Sequence, residues 1–399
     1  MQVLHGYSID ENSWKAKGGG GQVNIATKGG KKYFIKRLTK PRYPESDKFS
    51  GEFKKLKIAE CDAWIRERKA IINALPGNGS GTLIKPIEYF RDGPCFYEVA
   101  NMVDVTNIPY DQIWKETKQD KARIMLTVAM SLADVHKANI VHADLDPGNI
   151  LISRSAGGNL VTKLIDFTDS FFADRPPETI MSKDFWWSPE VALYSKASDQ
   201  KPNPYAQYIS TKADVFSLGI VFHQYCSKDG KPPICKCAQP WQEFQTGKAP
   251  QIDPKIEPEF RDLISSMLEV EPDKRPSMME VHQQLLGILK GQPAAQKKEE
   301  QPQQILNIIK PASRVEKPVQ KPMQKPVPTP VPKPAQKPSP GLTSQAKNLK
   351  PGDGKNSSGY KVSSVEQLNP RKVRIRFANG KEQIMDIKLA MIQHYVTES

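Results

Sequence analysis

Cysteine is scarce and poorly placed for cross-linking: there are five in 399 residues, an odd number without regular spacing. That excludes a disulfide framework and fits a reducing compartment. Long apolar runs are missing too. No stretch approaches the roughly 20 apolar residues of a membrane span, and the first twenty residues hold no apolar signal core, so a cytoplasmic protein is expected. Acidic residues fall short of basic ones, 44 against 58, for a formal net charge of +14. The shortfall is local. Between Gln292 and Lys350 eleven Lys and Arg residues face only Glu299, Glu300 and Glu316, so more than half of the surplus lies in one segment.

That segment also lacks aromatic residues, which leaves nothing to stack on bases and makes a nucleic-acid partner unexpected. Its Lys-Pro pairs recur at 317, 321, 325, 333 and 337, with Thr-Pro at 329. Proline so often forbids helix and favours a solvated, self-repelling polyproline spacer on the order of 70 Å. Ile305, Ile308 and Ile309 ahead of it offer one short apolar helical face. Beyond it, Lys372 to Phe377 alternates strictly, Asn379-Gly380 is a hairpin turn signal, and Glu382 to Ile387 returns as a strand. Leu389, Ile392 and Val396 suggest a closing helix, and Arg374 and Arg376 fall on the outer face. So small a core is marginal alone and is expected to meet a partner protein or the rest of the chain.

What the chain does hold is concentrated in His142-Ala143-Asp144-Leu145-Asp146-Pro147-Gly148-Asn149, followed by Ile150-Leu151-Ile152 and later by Asp166-Phe167. An Asp and an Asn five positions apart in a Pro-Gly turn ahead of a strand set a carboxylate beside a hydroxyl and an amide on a cation. A second Asp completes an oxygen clamp of the kind Mg²⁺ accepts together with phosphates. The chemistry that needs this set is phosphoryl transfer. Upstream, Gly18, Gly19, Gly20 and Gly21 between two strand-like segments would let backbone N–H groups approach phosphate oxygens. In Lys32 to Leu38, alternation puts Phe34 and Lys36 on one face. His223, Cys226, Cys235 and Cys237 are of zinc-ligand type, but a buried histidine and free thiols are the preferred reading.

These motifs, in this order, resemble the protein kinase superfamily over about residues 7 to 290, and the type looks bacterial, with an insertion from Thr39 to Glu52. The resemblance implies an α+β, two-lobed fold with a β-rich N-lobe and a helical C-lobe over 7–290. A Pro/Lys/Gln-rich linker over 291–357 and a small β-rich module over 358–399 follow. It implies an ATP-dependent serine/threonine protein kinase using Mg²⁺. Asp144 would orient the substrate hydroxyl, Asn149 and Asp166 would hold the metal, and Lys36 would meet the α- and β-phosphates. Glu67, on a helix expected from Ala59 to Leu75, would pair with Lys36, and Ile71, His142 and Phe167 would stack. Val23 and Leu151 would sandwich the adenine, with Asn101 and Val103 in the hinge, Ala100 as gatekeeper and Phe34 as an unusually large roof. Glu190, in Ser188-Pro189-Glu190, would pair with Arg275, and Asp214 would hold the catalytic loop.

Three departures from the family pattern bear on activity. Ala143 replaces an Arg that often binds an activation-loop phosphate, so independence from that switch is expected. Asp146 replaces a Lys near the transferring group, and solvent, a basic substrate or a metal are its open partners. Thr168 replaces a Gly and costs backbone freedom. Because Lys36, Asp144, Asn149 and Asp166 are all present, an active enzyme is expected. A pseudokinase scaffold and a small-molecule phosphotransferase are the alternatives.

Overall fold

The computed structural model describes residues 1–16, 21–44, 51–77, 81–103, 108–155, 157–233, 235, 237–245, 250–291, 349–351, 362–367, 372–378, 382–386 and 396–398. The chain divides into two compact units, Met1–Glu316 and Lys317–Ser399. The first opens with an antiparallel sheet made of β1 (Gln2–Leu4), β2 (Tyr7–Ile9), β3 (Lys15–Ala16), β4 (Gln22–Lys28) and β5 (Lys31–Arg37). After α1 (Gly51–Ala74), β6 (Pro86–Asp92) and β7 (Cys95–Asn101) complete it in the order β1-β2-β4-β5-β7-β6, with β3 on β4.

Register decides what each face carries. Val23 lies opposite Lys36, Lys36 opposite Glu98 and Glu98 opposite Tyr89, one continuous row across four strands. The next row on that face joins Ile25, Phe34 and Ala100. On the other face Ala26, Ile35, Phe90, Tyr97 and Val99 bury themselves against Leu4, Tyr7 and Ile9 of the first hairpin. One side of the sheet therefore closes on its own strands and the other is left for α1 and a cleft.

Helix α1 covers part of that second side: Trp64, Ile65 and Ile72 pack on Leu38, Cys61, Tyr89 and Phe96. It begins at Gly51, earlier than the Ala59 start expected from periodicity. Its first turns bury nothing, and Leu56 is 50% exposed, so no apolar period announces them.

The helical half contains α2 (Lys118–Lys137), a short β8 (Ile140–Val141), the β9–β10 hairpin (Ile150–Arg154 with Leu160–Leu164) and β11 (Phe171–Phe172). Helices α3 (Pro189–Lys196), α4 (Lys212–Cys226), α5 (Pro240–Gln245), α6 (Pro258–Met267) and α7 (Met278–Leu289) follow. α4 is buried along almost its whole length, as its run of apolar residues requires. Arg275 grips Glu190 at the start of α3 through two bonds of 2.7 and 2.8 Å, and its remaining N–H groups reach the carbonyls of Lys212, Glu269 and Val270. Such a buried charge pair holds because every donor is met. No helix among the described residues is long and apolar enough to cross a membrane.

In the second unit β13 (Val362–Gln367), β14 (Lys372–Phe377) and β15 (Glu382–Asp386) form an antiparallel sheet, with Ile375 buried and Arg376 exposed opposite Glu382. Asn379-Gly380, Arg374's side chain, Leu389 and Ile392 lie outside the described residues. Two details correct the expectation from sequence. β12 (Leu349–Pro351) falls within the span expected as linker, and Val396, expected in a helix, belongs to β16 (Val396–Glu398), which pairs with β12. A β-branched Val-Thr pair prefers the pleated strand, and Pro351 is tolerated at the end of an edge.

Candidate active site

The turn after β8 is fixed from below. Asp214, buried at the start of α4, accepts the backbone N–H groups of His142 at 2.7 Å and Ala143 at 3.0 Å and the Nε2 of His136 at 2.9 Å. Three donors on one carboxylate offset its desolvation. His142 donates from Nε2 to the carbonyl of Ile165 at 3.0 Å, and its ring lies 4.8 Å from that of Phe167. Ile71 and Phe167 belong to one buried cluster, and of the expected stack the His142–Phe167 ring contact is formed. Ala143 and Asp166 both adopt left-handed backbone, with φ of 69° and 67°. Such conformations cost energy and are kept where surrounding contacts enforce them.

Within this frame Asn149 donates from Nδ2 to the Asp144 carbonyl at 2.6 Å and to its carboxylate at 3.0 Å. That orients the amide so that Oδ1 is left for another partner. Lys36 donates to both oxygens of Asp166, at 2.9 and 3.0 Å, and to Thr168 Oγ1 at 2.9 Å. Burial works against the Lys36 ammonium, but attraction from Asp166, then Glu98 and Asp169, outweighs it and raises its pKa. Two bonded pairs result, Lys36 with Asp166 and Asn149 with Asp144, and Ile165 N joins the segment after β10 to the β8–β9 turn by donating to the Asn149 carbonyl at 3.0 Å.

Glu67 is not among them. It is one-third exposed and its ion-pair partner is Arg68 at 3.7 Å. The buried stripe of α1 runs through Cys61, Arg68 and Ile71, which rotates Glu67 off the inward face. Arg68 takes that position, donating to the carbonyls of Thr168 at 2.5 Å and Phe167 at 3.4 Å. The acid near Lys36 comes instead from the sheet: Glu98, on the same row, accepts from Thr168 Oγ1 at 2.7 Å and from Tyr89 at 2.7 Å. A lone charge in the otherwise apolar run Cys95 to Ala100, two residues before Ala100 and so facing its way, was the signal for Glu98.

Two further acidic residues stand close by. Asp169 is partly buried, and desolvation together with the Asp144 carboxylate raises its pKa to about 6. Asp146 is buried, its Oδ1 accepting from Gly148 N at 2.6 Å and its Oδ2 from the ammonium of Lys183. The partner found is a lysine of this same chain, in place of the solvent, basic substrate or metal expected from sequence. Sequence reasoning did not reach Asp169 or Lys183, since neither belongs to a periodic element.

Around the cleft, Val23, Leu151 and Val103 are half-buried and Asn101 is exposed, while Phe34 faces Ala100 across the ladder. Gly21 is buried at the head of β4, and Gly18, Gly19 and Gly20 lie outside the described residues. The zinc alternative fails at His223. Its Nδ1 donates to the Lys231 carbonyl at 2.9 Å and its Nε2 accepts from Asp253 N at 3.0 Å, so both ring nitrogens are taken. Asp166 and the oriented Asn149 offer the hard oxygen donors that suit Mg²⁺, beside a surplus of carboxylates that favours a divalent cation.

Comparison with known proteins agrees with this geometry. The protein kinase domain family matches residues 16–286. Serine/threonine-protein kinase ULK3 of Xenopus laevis is 25% identical over 173 residues, 42% of this chain and 34% of its own length. Serine/threonine-protein kinase dst4 of Dictyostelium discoideum is 28% identical over 202 residues, 48% of this chain and 36% of its own. Wee1-like protein kinase 1-B of Xenopus laevis is 28% identical over 188 residues, 45% of this chain and 30% of its own. The chain thus spans about a third of the length of these relatives, and none of the three speaks to a bacterial type. With more than half of its length matched by the family, this chain belongs to the protein kinase superfamily.

Proposed function

We propose that the chain is an ATP-dependent serine/threonine protein kinase. The observation that carries this reading is two bonded pairs, Lys36 on Asp166 and Asn149 on Asp144, joined where Ile165 N donates to the Asn149 carbonyl at 3.0 Å and sharing Asp169 as a neighbour. Asp144 orients the acceptor hydroxyl and takes its proton, while Lys36 binds the α- and β-phosphates. Asn149 and Asp166 would hold Mg²⁺, which would supply charge neutralisation on the phosphates. Positioning and fixed charge supply most of the rate in such a site. Val23 and Leu151 flank the adenine, and Asn101 and Val103 present hinge backbone to it.

The buried Glu190–Arg275 pair supports a protein acceptor over a small molecule, since it fixes the segment before α3 on which a polypeptide would lie. The same segment supports independence from activation-loop phosphate. Ala143 packs with Val141, Phe171, Ile180 and Val191 where an Arg would reach out, and Tyr194 holds the Pro177 carbonyl at 2.8 Å. Residues 7–290 make the catalytic part, the stretch from 291 up to β12 acts as a spacer, and the module that follows meets a partner protein.

Labelled ATP and Mg²⁺ with the full chain test the reading on a panel of protein and aminoglycoside acceptors. Protein labelling by the wild type, lost by at least about 10³-fold in Asp144→Asn and Asp166→Ala with unchanged circular dichroism, is the expected result. Labelling that survives Asp166→Ala, or that goes to aminoglycosides alone, overturns it.

A further inference from the structure

The charge reversal at Asp146 has a counterpart in the segment before α3. Asp146 is 4% exposed and uses its carboxylate in two directions: one oxygen closes the Pro147-Gly148-Asn149 turn and the other receives the Lys183 ammonium. The approach is close, because a Cβ on residue 148 would lie 2.9 Å from Asp146 Oδ1, so Gly148 leaves the room it needs. The residues on either side of Lys183 are tied down. Trp241 Nε1 donates to the next residue's carbonyl, Asp184 O, at 2.9 Å, Ser217 Oγ donates to Trp186 O at 2.6 Å, and Trp187 Nε1 donates to Ser182 Oγ at 2.7 Å. The Lys183 side chain keeps 61% exposure although it leans on a buried carboxylate. A tethered stem with a partly open ammonium is the arrangement of a group that meets a ligand.

The neighbours of that ammonium say which ligand. Burial pulls the Lys183 pKa down, but the hydrogen bond and charge of Asp146, then the charges of Asp144 and Asp166, carry it above the ordinary lysine value. The side chain therefore stands in the field of the same two carboxylates that frame the transfer site. An ATP-using phosphotransferase needs positive charge on the γ-phosphoryl oxygens, and Asp146 removes the lysine that this family places in the catalytic loop.

We propose that Lys183 is a catalytic residue that donates from Nζ to a non-bridging oxygen of the transferring γ-phosphoryl group, with Asp146 as the positioning residue that presents it. The step is balanced as follows. The acceptor hydroxyl gives its proton to Asp144, its oxygen bonds to the γ-phosphorus, and the bond from phosphorus to the β,γ-bridging oxygen breaks, its electron pair leaving on ADP. Lys183 forms and breaks no covalent bond; its charge offsets the charge spread over the phosphoryl oxygens. In effect the ammonium missing from the loop is supplied across it, and the segment before α3 becomes part of the transfer site.

This assignment rests on the kinase reading and is tested by steady-state kinetics of the full chain on the best protein acceptor found. Lys183→Met is expected to lower kcat by about 10²-fold, the scale for losing one transition-state donor, with KM for ATP within about twofold and an unchanged circular dichroism spectrum at the assay temperature. Lys183→Arg, which keeps the charge, should retain at least a tenth of kcat. The double variant Asp146→Lys/Lys183→Met, which returns an ammonium to the loop, should recover at least tenfold over Lys183→Met. Lys183→Met with kcat within twofold of wild type, a loss confined to KM for the acceptor, or an Arg variant as poor as Met overturns the assignment while leaving the kinase reading intact. A wild type that labels nothing overturns both.

Discussion

Glu98 lies directly across the β5–β7 ladder from Lys36, and the Thr168 hydroxyl bridges the two, 2.9 Å from the ammonium and 2.7 Å from the carboxylate. One hydroxyl has one proton to give, and Asp166 Oδ1 stands 2.8 Å from it as well, so the two carboxylates share a single hydroxyl donor while the ammonium donates to its oxygen. Glu98→Gln keeps the shape and removes the charge. It should lower kcat/KM for ATP by about tenfold, whereas Glu67→Gln should change it by less than about twofold. Steady-state kinetics on the two variants decide it, and a larger loss from Glu67→Gln would restore the helix as the source of the acid.

Arg68 ties α1 to the Phe167-Thr168 backbone. Replacing it with Met leaves those carbonyls without a charged donor and should destabilise the protein by about 1.5–3 kcal/mol. Urea unfolding reads the change directly. A variant as stable as the wild type would mean that α1 is held by its apolar stripe alone.

Asp169 gives a pH signature. Its pKa rises from 3.8 in the free side chain to about 6 here, so the folded chain holds this proton more tightly than the unfolded one. Stability contributed by the protonated form is present below about pH 4, falls as pH rises through the window up to about 6, and is absent above it. Asp169→Asn should therefore gain about 1–3 kcal/mol near pH 8 and close to nothing near pH 4. Equal gains at both would point to a cause other than this carboxyl.

Phe34 opposite Ala100 sets a large roof against a small back wall. The wild type should accept an ATP analogue enlarged at N6, and Ala100→Phe should reject it by at least about tenfold while still using ATP. Use of ATP alone by the wild type would remove this pair from the adenine pocket.

The sequence made the fold of the first unit legible because its signals are local. The Asp144–Asn149 spacing, the Asp166-Phe167 pair and the Glu190 and Arg275 motifs each sit in a turn or helix start whose conformation neighbouring residues dictate. The pairing of Lys36 was not legible in the same way. One step along a helix turns a side chain by about 100°, so periodicity counted from half-buried isoleucines does not separate Glu67 from Arg68. Glu98 and Lys183 meet Thr168 and Asp146 across 70 and 37 residues of chain rather than through local spacing, as Lys36 meets Asp166 across 130. Strand propensity at Val396 lost to an apparent helical period because three apolar residues are too few to define one.

Since Lys36 and Glu98 ride on adjacent strands of one sheet, a swing of α1 would carry Arg68 away but leave ammonium and acid facing each other. Displacing that helix would then loosen the backbone around Thr168 before it disturbed the pairing of Lys36 with Glu98. Any protein or small molecule that moved the first helix would act as a throttle on the Asp166–Thr168 turn and spare the sheet.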